Sequence, residues 1–413
     1  MSPLFCRACG EALQLTFLDL GKMPLSNAFL SPERSEEPEI FYPLHARVCE
    51  HCWLVQVPAV IPPEGIFSDY PYFSSFSTSW LHHAKTFAEH AIQAFGLNER
   101  SLVLEVACND GYLLRHFKDR KVGVLGVEPA ANVAKNAEAL GIPVVKEFFG
   151  SALARRLCAE KKAADLVVAN NVLAHVPDLN DFVSGLREVL GSQGMLSLEF
   201  PHLLRLIQGN QFDTIYHEHY SYFSFLSVEQ VLRRHGLKVV EAEEIPTHGG
   251  SLRLSVRHEN FAGKEGEGVA RLRQLEARAG LGEIEIYRKF GERARRAKRN
   301  ILSLLIRLKE EGKTIAAYGA PAKGTILLHY CGIQDGFLDY AVDRNPAKQG
   351  CYFPGTKLPI YPPERISQSR PDVVLILPWN LEAEIRGQLA EIREWGGQFL
   401  VPIPEPHLVC PGP

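Results

Sequence analysis

Residues 102–111, LVLEVACNDG, decide the fold. A short apolar run stops at a turn of small and polar residues, and a helical pattern follows from Tyr112. The same alternation continues outward: an apolar run at 122–127 with a helix from Ala131, a run at 166–169 with a helix from Asp181, and a fifth-strand run at 195–200. Apolar runs buried on both faces and separated by helices predict a parallel, doubly wound α/β sheet of the Rossmann-like type. Runs at 238–242 and 251–257 fit an antiparallel pair closing one edge, so that seven strands fit one sheet. Upstream, the apolar spacing of Trp80, Leu81, Ala84, Phe87, Ala88 and Ala91 predicts a helix over 75–97 that ends at Gly96.

The turn after the first strand is where such sheets bind ligands. It lacks the three glycines of a dinucleotide cradle, which disfavours NAD. An acidic Glu105 within the strand, the turn Cys108-Asn109-Asp110-Gly111, and Glu128-Pro129 ending the second strand match the order of an S-adenosylmethionine (SAM) site in class I methyltransferases. On that reading Glu128 meets the ribose hydroxyls and Asn132 opens the next helix beside the cofactor. Asn170, Asn171, Val172 and His175 lie against the methionine moiety, and Phe149 flanks the adenine; Phe148 or Phe149 serves equally well as core.

The 413-residue length suggests two or three domains. With 45 basic against 48 acidic residues, net charge −3, the chain is no cationic nucleic-acid binder. Its 46% hydrophobic and 23% charged residues are those of a globular protein. No bilayer-spanning run and no basic-then-apolar leader occur, so a cytosolic enzyme without membrane partners is expected. Oligomeric state is not readable, and a monomer fits.

Four of the nine cysteines form two CxxC knuckles, Cys6/Cys9 and Cys49/Cys52, separated by residues 10–48. Four thiolates suit a tetrahedral zinc ion and leave no position for a water, so the site should be structural. Paired surface thiols are the plainer alternative, and His51 beside the second knuckle is a bystander.

Tyr216-His217-Glu218-His219-Tyr220-Ser221-Tyr222 concentrates imidazoles, a carboxylate and phenols. The two histidines stand one residue apart and not at the HExxH spacing, so a zinc-protease reading fails. A general base near neutral pH with a donor for an enolate oxygen fits better: His219 as base, with Tyr216, Glu218 and Tyr222 orienting substrate or donating. Tyr70 and Tyr72 offer two further phenols or simple linker packing, and His248-Gly249 sits in a turn that a plain hairpin also explains.

A second alternation, with runs at 313–318, 338–342 and 373–377, predicts a smaller Rossmann-like domain. Its turns carry Tyr318, Ala320, Ala322, Lys323 and Gly324, then Asp343, Arg344, Asn345 and Lys348, groups suited to a nucleotide-bearing substrate. The charged stretch before it reads as a solvated helix pair. The expected domains are a zinc module and linker (1–72), a methyltransferase domain (73–260), a helical linker (261–312) and a nucleotide-sugar-binding domain (313–413).

Ten separated motifs, CRACG, LDLGKMPLSNAFL, EHCWLVQ, EVACNDGYLL, GVEPAANVA, NNVLAHVPDL, NQFDTIYHEHYSYFS, THGGSLR, YGAPAKGT and VDRNPAKQGCYFPGT, occur in this order. Together they resemble the three-domain, zinc-containing sugar C-methyltransferases of the tetronitrose and noviose pathways. The resemblance implies SAM-dependent methylation of a ring carbon, C3 or C5, of a nucleoside-diphosphate-linked 4-keto deoxysugar. It places the base that removes the proton alpha to the ketone on His219, its glutamate on Glu218 and a linker tyrosine on Tyr70, with Tyr72 in the substrate-binding set. It adds His175, His217 and His248 to the substrate-facing set and puts the nucleotide between the middle and C-terminal domains. A methyltransferase of another small acidic metabolite, or a zinc-knuckle binding module, are the competing readings.

Overall fold

The computed structural model describes residues 4–67, 73–76 and 78–410. The chain forms two compact units, one of residues 1–14, 49–203 and 218–282, the other of residues 15–48, 204–217 and 283–413. These divisions cut across the domain limits expected from the sequence.

The first unit is built on seven strands: β1 (Leu102–Val106), β2 (Gly123–Val127), β3 (Val144–Val145), β4 (Ala164–Asn170), β5 (Leu190–Pro201), β6 (Leu237–Ile245) and β7 (Ser251–His258). Their spatial order is β6-β7-β5-β4-β1-β2-β3. The pairs from β3 to β5 are parallel, while β7 runs antiparallel to both β5 and β6. The direction of winding reverses between β1 and β4, so the crevice beyond their carboxyl ends is the natural ligand site of this sheet. Val103, Leu104, Val167, Val168, Leu196 and Leu198 are buried, which is why these runs read as continuously apolar.

Helices cover both faces. The helix Thr78–Ala94 sends Ala84, Phe87, Ala88 and Ala91 into one core with Leu113, Leu114 and Phe117. Leu179–Val189 is capped by Asp178, whose carboxylate accepts the Asp181 N–H at 3.0 Å. Phe225–Arg234 opens on a reciprocal Ser224/Ser227 box, and Glu276 accepts the N–H groups of Phe225 and Leu226 at 2.6 and 2.7 Å.

The turn after β1 is held by close packing. Cys108 is buried and leans on Gly126 of β2, where an added Cβ would stand 2.4 Å from its Sγ. We expect Gly126→Ala to cost about 1–3 kcal/mol in urea unfolding, because the buried thiol has nowhere to go. Cys108→Ala in the same chain should recover most of that loss, and two additive losses would disprove the contact.

The second unit carries a sheet with β8 (Ile315–Tyr318), β9 (Tyr340–Val342), β10 (Ile360–Tyr361), β11 (Val373–Ile376), β12 (Gln398–Val401) and β13 (His407–Val409) in the order β10-β9-β8-β11-β12-β13. All pairs are parallel except β12 with β13. The strands Leu15–Met23 and Tyr42–Val48, which lie between the cysteine knuckles, form an antiparallel pair within this unit. Phe17 stacks on Phe290 with centroids 4.5 Å apart, and Leu305 and Ile301 of the same long helix are buried. That helix, Ile284–Glu310, is therefore amphipathic and packed, and Glu267–Ala279 buries Val269 and Leu272 in the first unit. The helices do not form the solvated linker that their charge suggested.

Candidate active site and zinc centre

The four knuckle cysteines converge. Their Sγ atoms all lie within 4.8 Å of one another, with Cys6–Cys52 at 3.5 Å and Cys9–Cys49 at 3.4 Å. Tetrahedral zinc with Zn–S bonds of about 2.3 Å needs sulfurs roughly 3.8 Å apart, so the donor set fits the ion. Both knuckles turn in the same way: the Gly10 N–H donates to the Cys6 carbonyl and the Trp53 N–H to the Cys49 carbonyl, each at 2.9 Å, with φ of 78° at Gly10 and 60° at Trp53. Gln56 donates through Nε2 to Cys6 Sγ at 3.1 Å and accepts the Arg7 N–H at 2.9 Å.

The turn that the sequence reading gives to the cofactor lies at the carboxyl end of β1. Glu128 accepts the Asn109 N–H at 3.0 Å and the Ala130 N–H at 2.9 Å, so it joins the turns after β1 and β2. Asn109 and Asp110 accept the N–H groups of Ser74 and Ser75, both at 3.0 Å, and anchor the start of the helix that follows. Burial drives Glu105 well above the usual carboxylate range against a hydrogen bond from Tyr112, and burial raises Glu128 as well. Gly111 has φ 79° and faces Ile142 and Ala137, a place closed to a side chain. Pro129 and Asn132 are half-buried where the next helix begins. Phe149 packs edge-on against Phe182 with centroids 5.5 Å apart, whereas Phe148 is exposed.

The turn after β4 lies at the carboxyl end of the neighbouring strand. Asn171 adopts φ 53° with its N–H on the Glu199 carbonyl at 2.6 Å. The Asn170 Oδ1 atom and both polar side-chain atoms of Asn171 are buried without a hydrogen-bond partner, as expected of groups awaiting a ligand. Val172 packs against the core. His175 is held down to about 4 by burial and so is neutral near pH 7. Its ring meets that of His219 edge to face, with centroids 4.7 Å apart, and Phe67 packs on it at 5.5 Å. Tyr222 stands 6.0 Å from the His219 ring. Glu218 is buried, and its backbone meets the His175 ring.

The zinc module reaches this cluster. Ser221–Tyr222 pairs antiparallel with Val55–Gln56, the strand just after the second knuckle, and the Val57 N–H donates to the Tyr220 carbonyl at 3.0 Å. Arg7, inside the first knuckle, lies over the Tyr220 ring at 5.5 Å. His248, with φ 53°, stands in the turn between β6 and β7, and its ring lies 5.3 Å from Trp80.

Not every predicted residue joins this cluster. Tyr70 and Tyr72 lie outside the described residues. Tyr216 and His217 belong to the second unit, where the His217 Nε2–H donates to the Pro43 carbonyl at 3.3 Å and its ring meets Tyr42.

In the second unit the loops after β8 and β9 are tied together. Asp343 accepts the Ala320 N–H at 2.6 Å and the Asn345 N–H at 2.7 Å, and Lys348 donates to the Ala320 carbonyl at 2.7 Å. Tyr318 donates to Gln388 at 2.8 Å, and exposed Arg344 faces Glu384 at 3.8 Å. Ala322 and Gly324 stand in the first turn of the helix Ala322–Cys331. Lys323 lies over the Trp379 ring at 4.1 Å and donates to Asn380. Trp379 in turn donates to Asp213 at 2.7 Å. Burial lowers Lys323 to about 8 and raises Asp213 to about 6. The loop Pro378-Trp379-Asn380 thus packs beside the Lys323 turn, a juxtaposition that the sequence reading missed; a Pro-Trp-Asn turn directly after the apolar run at 373–377 was its signal.

Three family models tile the chain: a zinc binding domain at residues 6–67, a methyltransferase domain at 80–242 and a C-methyltransferase C-terminal domain at 246–404. Over 404 residues the chain is 34% identical to the C-methyltransferase NovU of Streptomyces niveus, covering 98% of this chain and 96% of that one. The chain belongs to this C-methyltransferase family. As a C-methyltransferase it uses SAM, and its four-cysteine cluster is the site of zinc. Among solved structures it is similar to the magnesium protoporphyrin IX methyltransferase of Synechocystis PCC 6803 with bound SAM, at 14% identity over 43% of this chain and 79% of that one, TM-score 0.33. A SAM dependent methyltransferase from Archaeoglobus fulgidus matches at 16% identity over 43% of this chain and 94% of that one, TM-score 0.34. For the C-methyltransferase the strand order, with its antiparallel β7, carries the fold argument. Among the described residues no helix is long and apolar enough to cross a membrane.

Proposed function

We propose that this C-methyltransferase methylates a ring carbon, C3 or C5, alpha to the C4 ketone of a nucleoside-diphosphate-linked deoxysugar, with His219 as general base. The observation that carries the reading is the His175–His219–Tyr222 cluster, grouped beside the Asn170–Asn171 turn at the carboxyl end of β4. A proton alpha to a ketone is acidic enough for an imidazole to remove when a donor meets the developing enolate oxygen. His219 takes that proton; among the described residues, Tyr222 and neutral His175 stand beside its ring as donors. SAM, when bound, supplies the electrophilic methyl group that the enolate carbon accepts. Glu105, Asn109, Asp110, Glu128, Asn170 and Asn171 would hold it, the last two through the unpartnered Asn170 Oδ1 and Asn171 amide.

The nucleotide handle fits the second unit. Its loops at 318–325, 343–349 and 378–380 offer a helix start, Lys323, Lys348 and an indole face at the carboxyl ends of parallel strands. The motif resemblance and the relationship to NovU support a sugar substrate. The test is calorimetry on zinc-loaded protein with S-adenosylhomocysteine (SAH), then with TDP, UDP, GDP and CDP. We expect SAH and one diphosphate to bind, each in the micromolar range. SAH binding without any diphosphate would remove the nucleotide-sugar reading and leave the methyltransferase.

A further inference from the structure

Glu199, near the end of β5, has a side chain with no exposed surface, yet it is surrounded by polar partners. Its carboxylate accepts from Arg253 Nη2 at 2.9 Å and from the Thr247 hydroxyl at 3.2 Å, and His83 Nε2 lies 3.0 and 3.1 Å from its two oxygens and 2.9 Å from Arg253 Nη2. Its backbone carbonyl accepts the Asn171 N–H at 2.6 Å. Four segments therefore meet on one residue: the helix Thr78–Ala94, the turn after β4, the β6–β7 turn and β7.

Nothing in the sheet requires a charge here. A buried carboxylate loses hydration worth several kcal/mol, and an apolar side chain in a strand end is commonly at least as stable. The cluster lies at the carboxyl edge of the sheet, and the two turns it ties each carry a left-handed non-glycine residue, Asn171 in one and His248 in the other. Asn171 and His248 each hold φ 53°, a left-handed conformation that Asn and His adopt more readily than most residues and that marks a tight turn. Thr247, bonded to Glu199, directly precedes His248. Trp80 stacks on His83 at 4.9 Å and leans on His248 at 5.3 Å and on Tyr112 at 5.9 Å.

We propose that Glu199 is a positioning residue for methyl transfer, fixing the Thr247–Gly249 turn and its His248 against the reacting groups while Arg253 balances its charge. The inference rests on the acceptor reading above. Thr247→Val removes only the tether and leaves the Arg253 ion pair and the His83 contact intact.

Turnover is measured with TDP-, UDP-, GDP- and CDP-linked 4-keto-6-deoxyhexoses as acceptors. Displacing a group by a fraction of an ångström to an ångström costs up to about a hundredfold in rate, and we expect Thr247→Val to lose about tenfold in kcat. SAH affinity and KM should stay within about twofold and Thr247→Ser should restore the rate, since only the hydroxyl matters. Glu199→Gln should lose more in the same direction. The Gly250 N–H, bonded to the Thr247 carbonyl at 2.9 Å, should exchange with deuterium about tenfold faster in both Thr247→Val and Glu199→Gln. A folded Thr247→Val with kcat and exchange both unchanged overturns the proposal, as does a rate loss matched by an equal loss of SAH affinity. If the wild-type protein turns over none of the four acceptors, the acceptor reading fails; exchange at Gly250 then decides this inference alone, faster exchange in both variants supporting it and equal exchange overturning it.

Discussion

His219→Asn should lose about a thousandfold in turnover while binding SAH within about twofold of the wild-type protein, the range expected for removing a general base. Asparagine keeps a polar group of similar size, and the neighbours that hold the ring's place remain: His175 at 4.7 Å and Tyr222 at 6.0 Å. The cofactor turns after β1, β2 and β4 do not depend on it. A sharper measurement is wash-in of deuterium from solvent at the carbon alpha to the ketone, with SAH in place of SAM. The wild-type protein should exchange that proton and the variant should not, which separates proton removal from methyl transfer. Exchange that persists in His219→Asn would move the base elsewhere, and neutral His175 would be the first place to look.

Much of this was legible because local physics wrote it. Leu102–Val106 is an apolar run buried in the middle of a sheet, and a turn of small residues must follow before Leu114–Lys118 can begin. The CxxC spacing predicts a converging four-thiol site because a knuckle turn brings its own two sulfurs together. Contacts between distant segments were not legible. Residues 15–48 leave the knuckles and join residues 283–413, where Phe17 lies on Phe290; no local pattern says which partner an apolar strand face will find. The segment 204–222 reads as one block, but the structure divides it after His217 and ties that imidazole to Pro43. Glu199 was visible only as one acidic residue at a strand end, since its partners lie 116, 54 and 48 positions away.

Cys52→Ser should remove zinc and lower the melting midpoint by roughly 10 °C, because binding to a preformed four-thiolate site adds directly to folding free energy. Cys6, Cys49, Cys52 and Leu54 are buried in the same core as Leu104, Val167 and Leu198, so the loss is felt by the sheet and not by a detachable module. Catalysis should suffer beyond the stability loss. Gln56, which holds the Cys6 sulfur, is paired with Ser221, and Val55 with Tyr222, two and three residues past His219. Arg7 carries the same linkage from the first knuckle to the Tyr220 ring. Loosening the knuckles frees that short strand, and His219 with it, while the cofactor turns after β1 and β4 keep their own anchors in Glu128 and Glu199. Well below its melting midpoint, the zinc-free variant should therefore bind SAH within about threefold of normal yet turn over at less than about a tenth of the rate, the effect of a displaced base. Turnover, zinc content and melting can be followed on one preparation; a zinc-free protein that melts at the wild-type temperature and turns over normally would sever the zinc site from both roles.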